Sequence, residues 1–318
     1  MILRFLARRL PLSLITLAIL SVLVFLGGQL LPGDVGRAVL GPLADPAAVA
    51  HFNHLMGADR PLIVQYWDWV THFLVGNMGT SYTFRAPVAP FIAEAAANSL
   101  KLATMAFVLV VPLGILGGVW AAIRVGSWTD RALTLLGQSL GIVPEFISSI
   151  VLILIFGVWL RWLPMSADWP DDSGPLTQLR YLLLPALPLV LIFFGYIARV
   201  ARAGTVAALD ADYTRTAVLK GLSWTIIFRR HILRNALLPT ITVIASLIGY
   251  LAGGLVVIET LFHYRGIGSL IFTAAKAKDF PMLEAGVLTV GAVYAIASLA
   301  ADLLNALLNP RLREGEIA

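Results

Sequence analysis

The polar and charged side chains that could bind a partner or take part in chemistry are concentrated in one stretch, residues 201–236, between long apolar segments. Its central residues run Asp212-Tyr213-Thr214-Arg215-Thr216-Ala217-Val218-Leu219-Lys220-Gly221-Leu222-Ser223, then Arg229-Arg230-His231-Ile232-Leu233-Arg234-Asn235-Ala236-Leu237-Leu238-Pro239. The spacing predicts a helix that ends at a left-handed cap on Gly221, followed by a second helix capped by Ser223. Arg234 and Pro239, near the return to apolar sequence, are expected to have structural roles. Such a basic helical hairpin is suited to binding a partner.

Titratable residues outside this stretch offer few sites for chemistry. Glu145 is expected deep inside an apolar segment, where an unpaired carboxylate is costly, so it either serves a pathway or gate or makes a helix-packing hydrogen bond. Asp302, near the end of the last apolar segment, is expected to be structural. His51, His54 and His72 lack a matching carboxylate cluster, so no metal site is predicted. Neither G-x-S-x-G nor H-E-x-x-H occurs, and no catalytic residue is expected.

The composition indicates that lipid surrounds most of the chain. Of the 318 residues, 59% are hydrophobic and only 13% are charged, against roughly 25% charged residues in soluble domains. This composition excludes disorder and argues against a water-soluble fold. Cysteine is absent, which excludes disulfides and thiolate metal sites, and the net charge of +5 is too small to indicate nucleic-acid binding.

Six apolar segments are long enough to cross a bilayer as helices, because a hydrocarbon core about 30 Å thick needs roughly 20 helical residues. The segments are residues 11–31, 102–123, 132–160, 181–200, 237–258 and 285–308. They are continuous rather than alternating, which favours helices over a β-barrel. We therefore predict an all-α polytopic membrane protein with six transmembrane helices, the first being an uncleaved anchor.

The distribution of Lys and Arg predicts that both ends of the chain are cytoplasmic. Fourteen lie at the predicted cytoplasmic side and five at the other, once the long segment 32–101 is left out. The predicted order is a cytoplasmic N-terminus at 1–10, the first helix, an outer segment at 32–101, a transmembrane domain at 102–308 with a cytoplasmic loop at 201–236, and a cytoplasmic tail at 309–318.

Small residues and proline mark how the apolar segments pack. G-x-x-x-G occurs at residues 114–118, 137–141 and 249–253. This spacing lets two helix backbones approach closely, and we interpret it as packing within the chain. Pro144 lies inside the segment 132–160, and Pro185 and Pro188 lie inside the segment 181–200. Each proline predicts a kink in its helix.

The polar stretch D-Y-x-R-T-A-x-x-K-G-L, followed by R-H-x-L-R-N-A-L-x-P, resembles the loop of membrane subunits of bacterial ABC importers for dipeptides, oligopeptides and nickel. The resemblance extends over most of residues 1–313, and the outer segment is similar to that of the B-type of the two paired permeases. The further matching residues are Gln65-Tyr66-Trp67, Gly76-Asn77-Met78-Gly79-Thr80-Ser81, Gly126-Ser127-Trp128-Thr129-Asp130-Arg131, Glu259-Thr260-Leu261-Phe262, Gly266-Ile267-Gly268, Asp302 and Asn309-Pro310-Arg311.

The resemblance implies the ABC importer permease fold and a coupling helix that docks in a groove on a separate ATP-binding subunit. The residues it assigns to this coupling loop are Asp212, Tyr213, Arg215, Thr216, Ala217, Lys220, Gly221, Leu222 and Ser223. The broader importer motif E-A-A-x-x-x-G appears here without its glutamate, with Arg215 in that place. Asp212, one turn earlier, offers an alternative acid.

The chain itself contains no G-x-x-x-x-G-K-[ST] motif, so it is expected to be neither an ATPase nor a cofactor-binding protein. The resemblance implies two ABC ATPase subunits that use ATP, a homologous second permease forming a heterodimer, and an extracytoplasmic substrate-binding protein, at the bacterial inner membrane. The expected function is import of short peptides, with nickel, opines, glutathione and sugars as alternative substrates. A stand-alone secondary transporter using Glu145 is the other alternative, although it would need internal repeats.

The outer segment 32–101 mixes prolines with aromatic side chains. One interpretation is an interfacial belt of aromatic residues. The other is a cap over the outer mouth that receives the substrate-binding protein. The two interpretations are compatible with each other.

Overall fold

The computed structural model describes residues 2–30, 35–41, 43–55, 57, 59–170, 172–253 and 255–308, and every regular element in them is a helix. The helices are α1 Ile2–Leu30, α2 Val35–Leu40, α3 Pro46–Leu55, α4 Leu62–Leu74, α5 Val88–Ala122, α6 Trp128–Ile142, α7 Glu145–Leu152, α8 Pro175–Asp210, α9 Asp212–Leu219, α10 Trp224–Ile226, α11 Leu233–Ala236, α12 Leu238–Gly253, α13 Val256–Leu261, α14 Ile267–Ala277 and α15 Phe280–Leu308. A π-helical turn at Ile153–Trp159 follows α7, and another at Ile227–Ile232 joins α10 to α11.

Among the described residues, four helical stretches are long and apolar enough to cross a membrane, and two bent helix pairs raise the number to as many as six. The single helices are Arg9–Gln29, Val88–Ala122, Pro175–Asp210 and Phe280–Asn305. The bent pairs are Trp128–Ile142 with Glu145–Trp159, and Trp224–Ala236 with Leu238–Leu251. The prediction of an all-α polytopic membrane protein is confirmed, whereas six crossings and cytoplasmic termini stay predictions.

The predicted segment 132–160 is divided by a sharp bend at Pro144, where the sequence predicts a kink. α6 ends at Ile142, α7 begins at Glu145, and the two helices are bent by 108°. Val143 has ψ 124° and Pro144 has ψ 140°, both extended. The cause is Pro144, which lacks an N–H and disfavours helical geometry at the residue before it. Glu145 therefore starts a new helix, and its depth cannot be counted along a straight one.

Two other segments are longer than predicted. α5 begins at Val88 rather than at residue 102, so the last part of the outer segment 32–101 is helical and continuous with the following span. α8 covers Pro175–Asp210 rather than 181–200, so the loop predicted at 201–236 is helical at its start. The added residues 88–101 and 201–210 are rich in alanine, which favours helix. Alanine is only weakly hydrophobic, so these residues do not stand out as part of an apolar segment.

The last two predicted segments also have different bounds. The segment 237–258 ends as a helix at Gly253, where consecutive glycines in the sequence lower helix propensity. The segment 285–308 begins earlier, at Phe280. Asp279 precedes this helix, and its side chain accepts a hydrogen bond from the Met282 N–H at 3.4 Å, which stabilises the new start.

The contacts divide the chain into two compact units, the first comprising Met1–Leu100 and Ala252–Ile296, the second Lys101–Leu251 and Ala297–Ala318. The first unit has a core formed by α5, α14 and α15, whose buried members are Val88, Ile92, Ala95, Ile267, Ala274, Met282 and Ala285. In the same unit, α4 packs on α1 through Phe25, Tyr66 and Trp69, with ring centroids 5.5 to 6.2 Å apart. Several outer-segment aromatic side chains are thus used in packing within the chain.

The second unit is centred on α8, which lies against α5 and α6 at glycine contacts. A Cβ on Gly118 would lie 2.3 Å from the Ala198 carbonyl oxygen, and one on Gly137 would lie 2.9 Å from the Gly195 Cα. Such distances allow only glycine without movement of the neighbouring backbone. Packing within the chain is therefore confirmed for the motifs at 114–118 and 137–141.

Candidate functional site

The predicted helical hairpin begins with α9 and a tight turn. The Gly221 N–H donates to the Val218 carbonyl at 2.9 Å, and the Leu222 N–H donates to the Ala217 carbonyl at 3.3 Å. These two bonds form a Schellman motif, which requires a left-handed residue between the helix and the turn. Gly221 has φ +72° and supplies it. The predicted left-handed cap is confirmed.

One face of α9 is attached to the second unit. The Thr214 hydroxyl donates to the Ala208 carbonyl at 2.7 Å, and both Thr214 and Ala217 are buried. Ala217 belongs to a small apolar cluster that also contains Ala208, Ile227, Ile232 and Ala236. These contacts pack α9 against the end of α8 and against the second limb of the hairpin.

The exposed side of α9 and the turn after it carry apolar side chains beside polar ones. We call this surface, formed by Tyr213, Val218, Leu219, Leu222 and Trp224, the hairpin patch. Leu219 is 87% exposed, Trp224 is 56% exposed and Val218 is 52% exposed. Several large apolar side chains exposed close together in the chain, at the end of a packed helix, indicate an interaction surface. Val218, Leu219 and Trp224 were not among the predicted site residues, although three apolar residues at 218, 219 and 222 already signal such a surface.

The structure separates the other residues of the predicted coupling loop into exposed and structural positions. Asp212 and Arg215 are exposed and lie 3.9 Å apart, a surface pair that contributes little to stability. The Thr216 hydroxyl donates to the Asp212 carbonyl at 2.8 Å. Lys220 is exposed at the end of α9.

The second limb of the hairpin differs from its prediction. Ser223 occupies the N-cap position, but its side chain makes no capping bond. Its carbonyl instead accepts the N–H groups of Ile226 and Ile227 at 3.0 and 3.1 Å. The backbone then widens into the π-helical turn, so the helix predicted from about Trp224 to Arg230 is present but is α-helical only over Trp224–Ile226. A turn that closes with five-residue spacing brings Ile227 and Ile232 into the apolar cluster.

The hairpin returns to the membrane segment beside α8. A Cβ on Gly204 would lie 2.2 Å from the Ala236 carbonyl oxygen and 3.4 Å from Pro239 Cγ. Pro239 lies in the first turn of α12, where its missing N–H has no helical partner to lose. Arg234, the other predicted structural residue, is exposed on α11.

A partly buried ion pair, which the sequence reasoning missed, connects α8 to the first turn of α6. Arg202 Nε donates to Asp130 Oδ1 at 2.5 Å and its Nη2 donates to Oδ2 at 2.8 Å. The Gly126 N–H donates to Asp130 Oδ2 at 2.9 Å. Asp130 is buried, so its bidentate pair with Arg202 holds the start of α6, and Gly126 before it, against α8. The signal was the motif containing Gly126 and Asp130, which had no assigned role.

Glu145 and Asp302 lie apart from the hairpin patch in the chain. Glu145 is half-buried in the first turn of α7, where a negative charge interacts favourably with the helix N-terminus. Its carbonyl accepts the hydroxyls of Ser148 and Ser149 at 3.0 and 2.6 Å. Asp302 is half-buried in α15. A pathway role for Glu145 and a structural role for Asp302 remain predictions.

Glu259, on α13 in the first unit, is completely buried against the start of α14. Its Oε1 accepts the Ser99 hydroxyl at 2.5 Å and its Oε2 accepts the Ser269 N–H at 3.0 Å. A Cβ on Gly266 would lie 2.2 Å from this carboxyl group, and one on Gly268 would lie 2.9 Å from Oε2. Burial raises the pKa of Glu259, and its hydrogen bonds oppose that shift. The Gly-Ile-Gly motif is thus the space into which this side chain fits.

Asp279 makes a second buried anchor in the first unit. It accepts the Ser81 hydroxyl and the N–H groups of Tyr82 and Thr83, both at 3.1 Å. These bonds join the turn between α4 and α5 to the start of α15. The match at Gly79-Thr80-Ser81 therefore has a structural explanation.

Two of the three histidines of the outer segment, His54 and His72, have individual partners. His54 Nδ1 lies 2.6 Å from Asp59 Oδ2, and His72 Nδ1 lies 2.6 Å from the Asp68 carbonyl oxygen. The hydrogen bond with His54 lowers the pKa of Asp59. Within the part of the chain that the structure describes, no three His, Asp or Glu side chains are grouped to hold a metal ion.

Comparison with known proteins places these features in one family. Residues 114–314 match the model of the binding-protein-dependent transport system inner membrane component, and residues 2–105 match the model of the N-terminal part of that component. A probable peptide ABC transporter permease of Sinorhizobium fredii is 33% identical over 97% of this chain and 99% of its own length. A glutathione transport system permease of Salmonella typhimurium is 36% identical over 94% of this chain and 95% of its own length.

A solved structure described as an amino acid ABC transporter with histidines has a TM-score of 0.48 and 16% identity, covering 70% of this chain and 94% of its own. The two family models together extend over nearly the whole chain. Members of this family are the membrane permeases of ABC importers, in which separate subunits hydrolyse ATP and separate proteins bind the substrate. This chain belongs to the binding-protein-dependent transport system inner membrane component family and is a multi-pass permease subunit without an ATPase site of its own.

Proposed function

We propose that this permease imports short peptides across the bacterial inner membrane. The support for this cargo is the similarity to permeases named for peptides, at 33 and 36% identity over 97 and 98% of the chain. Glutathione is the second candidate, because a relative of equal similarity is named for it. Both are short peptide-like solutes.

The coupling to ATP hydrolysis is carried by the hairpin patch. Its exposed apolar side chains offer a docking surface to an ATPase subunit, while Thr214 and Ala217 hold α9 to α8 and to the second limb. A movement of the docked subunit would therefore tilt α8 and α12 together. Such a tilt shifts the population between inward-open and outward-open states. The single observation behind this role is a helix that is packed on one face, while its exposed end and the turn after it carry several large apolar side chains.

The assembly follows from this arrangement and from the family. We assign the chain to a heterodimer with a second permease, below which two ATPase subunits bind the two hairpins. A substrate-binding protein delivers cargo to the outer side. In this topology each bent helix pair counts as one crossing, which makes six crossings with both termini cytoplasmic and is compatible with the lengths of the helices.

The docking role is tested with Leu219→Glu, which places a charge at the most exposed apolar side chain of the hairpin patch. We expect the ATPase subunits to be lost on purification and peptide uptake to fall at least about tenfold, since a charge buried in an apolar interface costs several kcal/mol. The matched control is Leu176→Glu, because Leu176 is 82% exposed on α8 at the other end of the helix. Normal ATPase retention in Leu219→Glu would contradict the docking role.

The cargo is tested separately by uptake in a strain that depends on this importer for a peptide nutrient. Labelled dialanine, labelled glutathione and nickel are supplied in turn, with the gene present or deleted. Gene-dependent accumulation of dialanine supports the proposal, whereas accumulation of glutathione or nickel alone replaces it. ATPase retention in the Leu219→Glu variant tests the docking surface, whereas uptake of each labelled solute tests the cargo, so failure of one proposal can be distinguished from failure of the other.

A further inference from the structure

A cavity of about 320 Å³ lies within the first unit, between α1, α4 and the first turn of α15. This volume is at the lower end of the range of roughly 300 to 1,000 Å³ found for small-molecule sites. Four aromatic side chains line it, namely Phe25, Trp69, Tyr82 and Phe280. Its charged lining residues are Arg60, Asp68 and Glu284.

Glu284 is the unexplained group in this cavity. It is only 7% exposed. No hydrogen bond or ion pair from any residue that the structure describes reaches its carboxyl group. Glu259 and Asp279, buried in the same unit, each accept several hydrogen bonds. A buried carboxylate without such partners is costly, so a ligand that supplies a donor and a positive charge would be favoured.

The other charges of the cavity are already engaged. Arg60 Nη1 donates to Asp68 Oδ2 at 3.2 Å, and both side chains are more than half exposed at the rim. The His72 ring is held by the Asp68 carbonyl. Arg60 and Asp68 neutralise each other, and Glu284 therefore gives the cavity its net negative charge when it is ionised.

The lining selects the chemical class of the ligand. An ammonium group donates up to three hydrogen bonds to a carboxylate and is also attracted to aromatic faces. A metal ion would instead need several carboxylate or imidazole ligands, and among the described residues no such group is present. We propose that this cavity binds an organic ammonium ligand of about the size of one amino acid, with the ammonium group on Glu284 and the remainder among Phe25, Trp69 and Phe280.

Tyr82 adds a neutral polar group to the same wall. Burial, together with the neighbouring charges of Glu284 and Asp279, raises the pKa of Tyr82 to about 12. Its hydroxyl therefore stays protonated at neutral pH and can accept a hydrogen bond from an ammonium group or donate one to a carbonyl oxygen. This site does not depend on which cargo the importer carries.

The test uses the purified importer complex without its substrate-binding protein, in lipid nanodiscs. Alanine amide is the cationic probe and N-acetylalanine amide is its neutral counterpart, with binding measured by isothermal titration calorimetry. We expect alanine amide to bind, N-acetylalanine amide not to bind, and Glu284→Gln to weaken alanine amide binding at least about tenfold. The matched control is Glu94→Gln, which removes the same charge from an exposed position on α5.

A second variant keeps the proposal testable if Glu284→Gln fails to fold. Gly28→Ala adds a methyl group 2.7 Å from Glu284 Oε1, so the carboxyl group must turn aside, and alanine amide binding should weaken. Equal binding of the two probes, no binding of alanine amide, or unchanged binding in both variants would overturn the proposal. Displacement of alanine amide by millimolar K⁺ or Ca²⁺ but not by ethylammonium would overturn the organic class of the ligand.

Discussion

The buried acids of the first unit differ in how their charge is accommodated. Glu259 lies against the N-terminal turn of α14 and accepts hydrogen bonds from a hydroxyl and backbone N–H groups. Asp279 does the same for the turn before α5. Glu284 has a cavity instead of donors. The first two are structural anchors because their oxygens are already satisfied, and only the third has capacity left for a ligand.

The space around Glu259 predicts the effect of Gly266→Ala. The added methyl group would overlap the carboxyl group at 2.2 Å, displace it from its donors and destabilise the fold by about 1–3 kcal/mol. Thermal unfolding of the purified protein in detergent measures this loss. Gly174→Ala is the control, since nothing lies within 4 Å of its Cβ position. An unchanged unfolding temperature for Gly266→Ala would mean that Glu259 is not held as described.

The turn at Gly221 predicts that Gly221→Val uncouples transport. A β-branched residue at φ +72° is strained by roughly 1–2 kcal/mol, and the strain would shift the Schellman turn beneath the hairpin patch. We expect peptide uptake to fall while the amount of protein in the membrane stays near normal, measured by uptake and immunoblotting. Gly174→Val makes the same change at φ −66° and should transport normally. Normal uptake by Gly221→Val would show that this turn tolerates strain.

At the scale of the helices, proline acts in opposite ways at different positions. Pro144 separates α6 from α7 by a bend of 108°. Pro185 and Pro188 lie inside α8, are buried, and leave the helix continuous. Neighbouring helices can satisfy or shield the carbonyl that a proline frees, and both α6 and α7 pack against α8. A proline in an apolar segment therefore indicates a weak point, and packing decides whether the helix breaks there.

The ion pair between Arg202 on α8 and Asp130 on α6 predicts that the stability of the protein depends on both side chains. Arg202→Gln leaves Asp130 buried without a counter-charge and should destabilise the protein by about 3–5 kcal/mol. Thermal unfolding is again the measurement, and Asp130→Asn combined with Arg202→Gln should recover part of the loss. The exposed pair provides the comparison, because Arg215→Gln should cost less than about 1 kcal/mol. Equal effects of both single variants would contradict the importance of burial.

At the scale of the whole molecule, helix lengths and charges define a chain that crosses the membrane repeatedly. Four single helices and two bent pairs have the required apolar length. The hairpin connects α8 to α12, two candidate membrane-spanning segments. It can contact a cytoplasmic ATPase only if it lies on the cytoplasmic side of the membrane. The orientation is therefore the property on which the proposed coupling depends.

The natural absence of cysteine makes this orientation measurable with single-cysteine variants. Asp172→Cys and Ser223→Cys introduce thiols at two exposed positions, predicted to be outside and inside respectively. A membrane-impermeant maleimide should label the first in intact spheroplasts and the second only after permeabilisation. The unchanged protein, which has no thiol, is the control for background labelling. The reverse pattern would place the hairpin outside and refute its docking to an ATPase.

Much of the candidate site was predictable because its signals are local. The helix ending at Gly221 follows from neighbouring residue types, and the observed cap matches it. The π-helical turn after Ser223 was not predictable, since it places Ile227 and Ile232 in a cluster with α8 and α9. The exposure of Leu219 likewise became clear only when Ala217 was found on the buried face.

The sequence by itself determined that this protein is helical, lies in a membrane and has a polar hairpin, because apolar length, charge bias and turn chemistry act over a few residues. Tertiary structure alone decided that the kink predicted at Pro144 is a bend of 108°. It also decided the pairing of Asp130 with Arg202, the contact of Gly137 with Gly195 and the enclosure of Glu259. The bend depends on how surrounding helices respond to a missing hydrogen bond. The ion pair, the glycine contact and the enclosure of Glu259 each bring together groups that are far apart in the chain. The energies of these contacts depend on burial and geometry, which residue types alone do not specify.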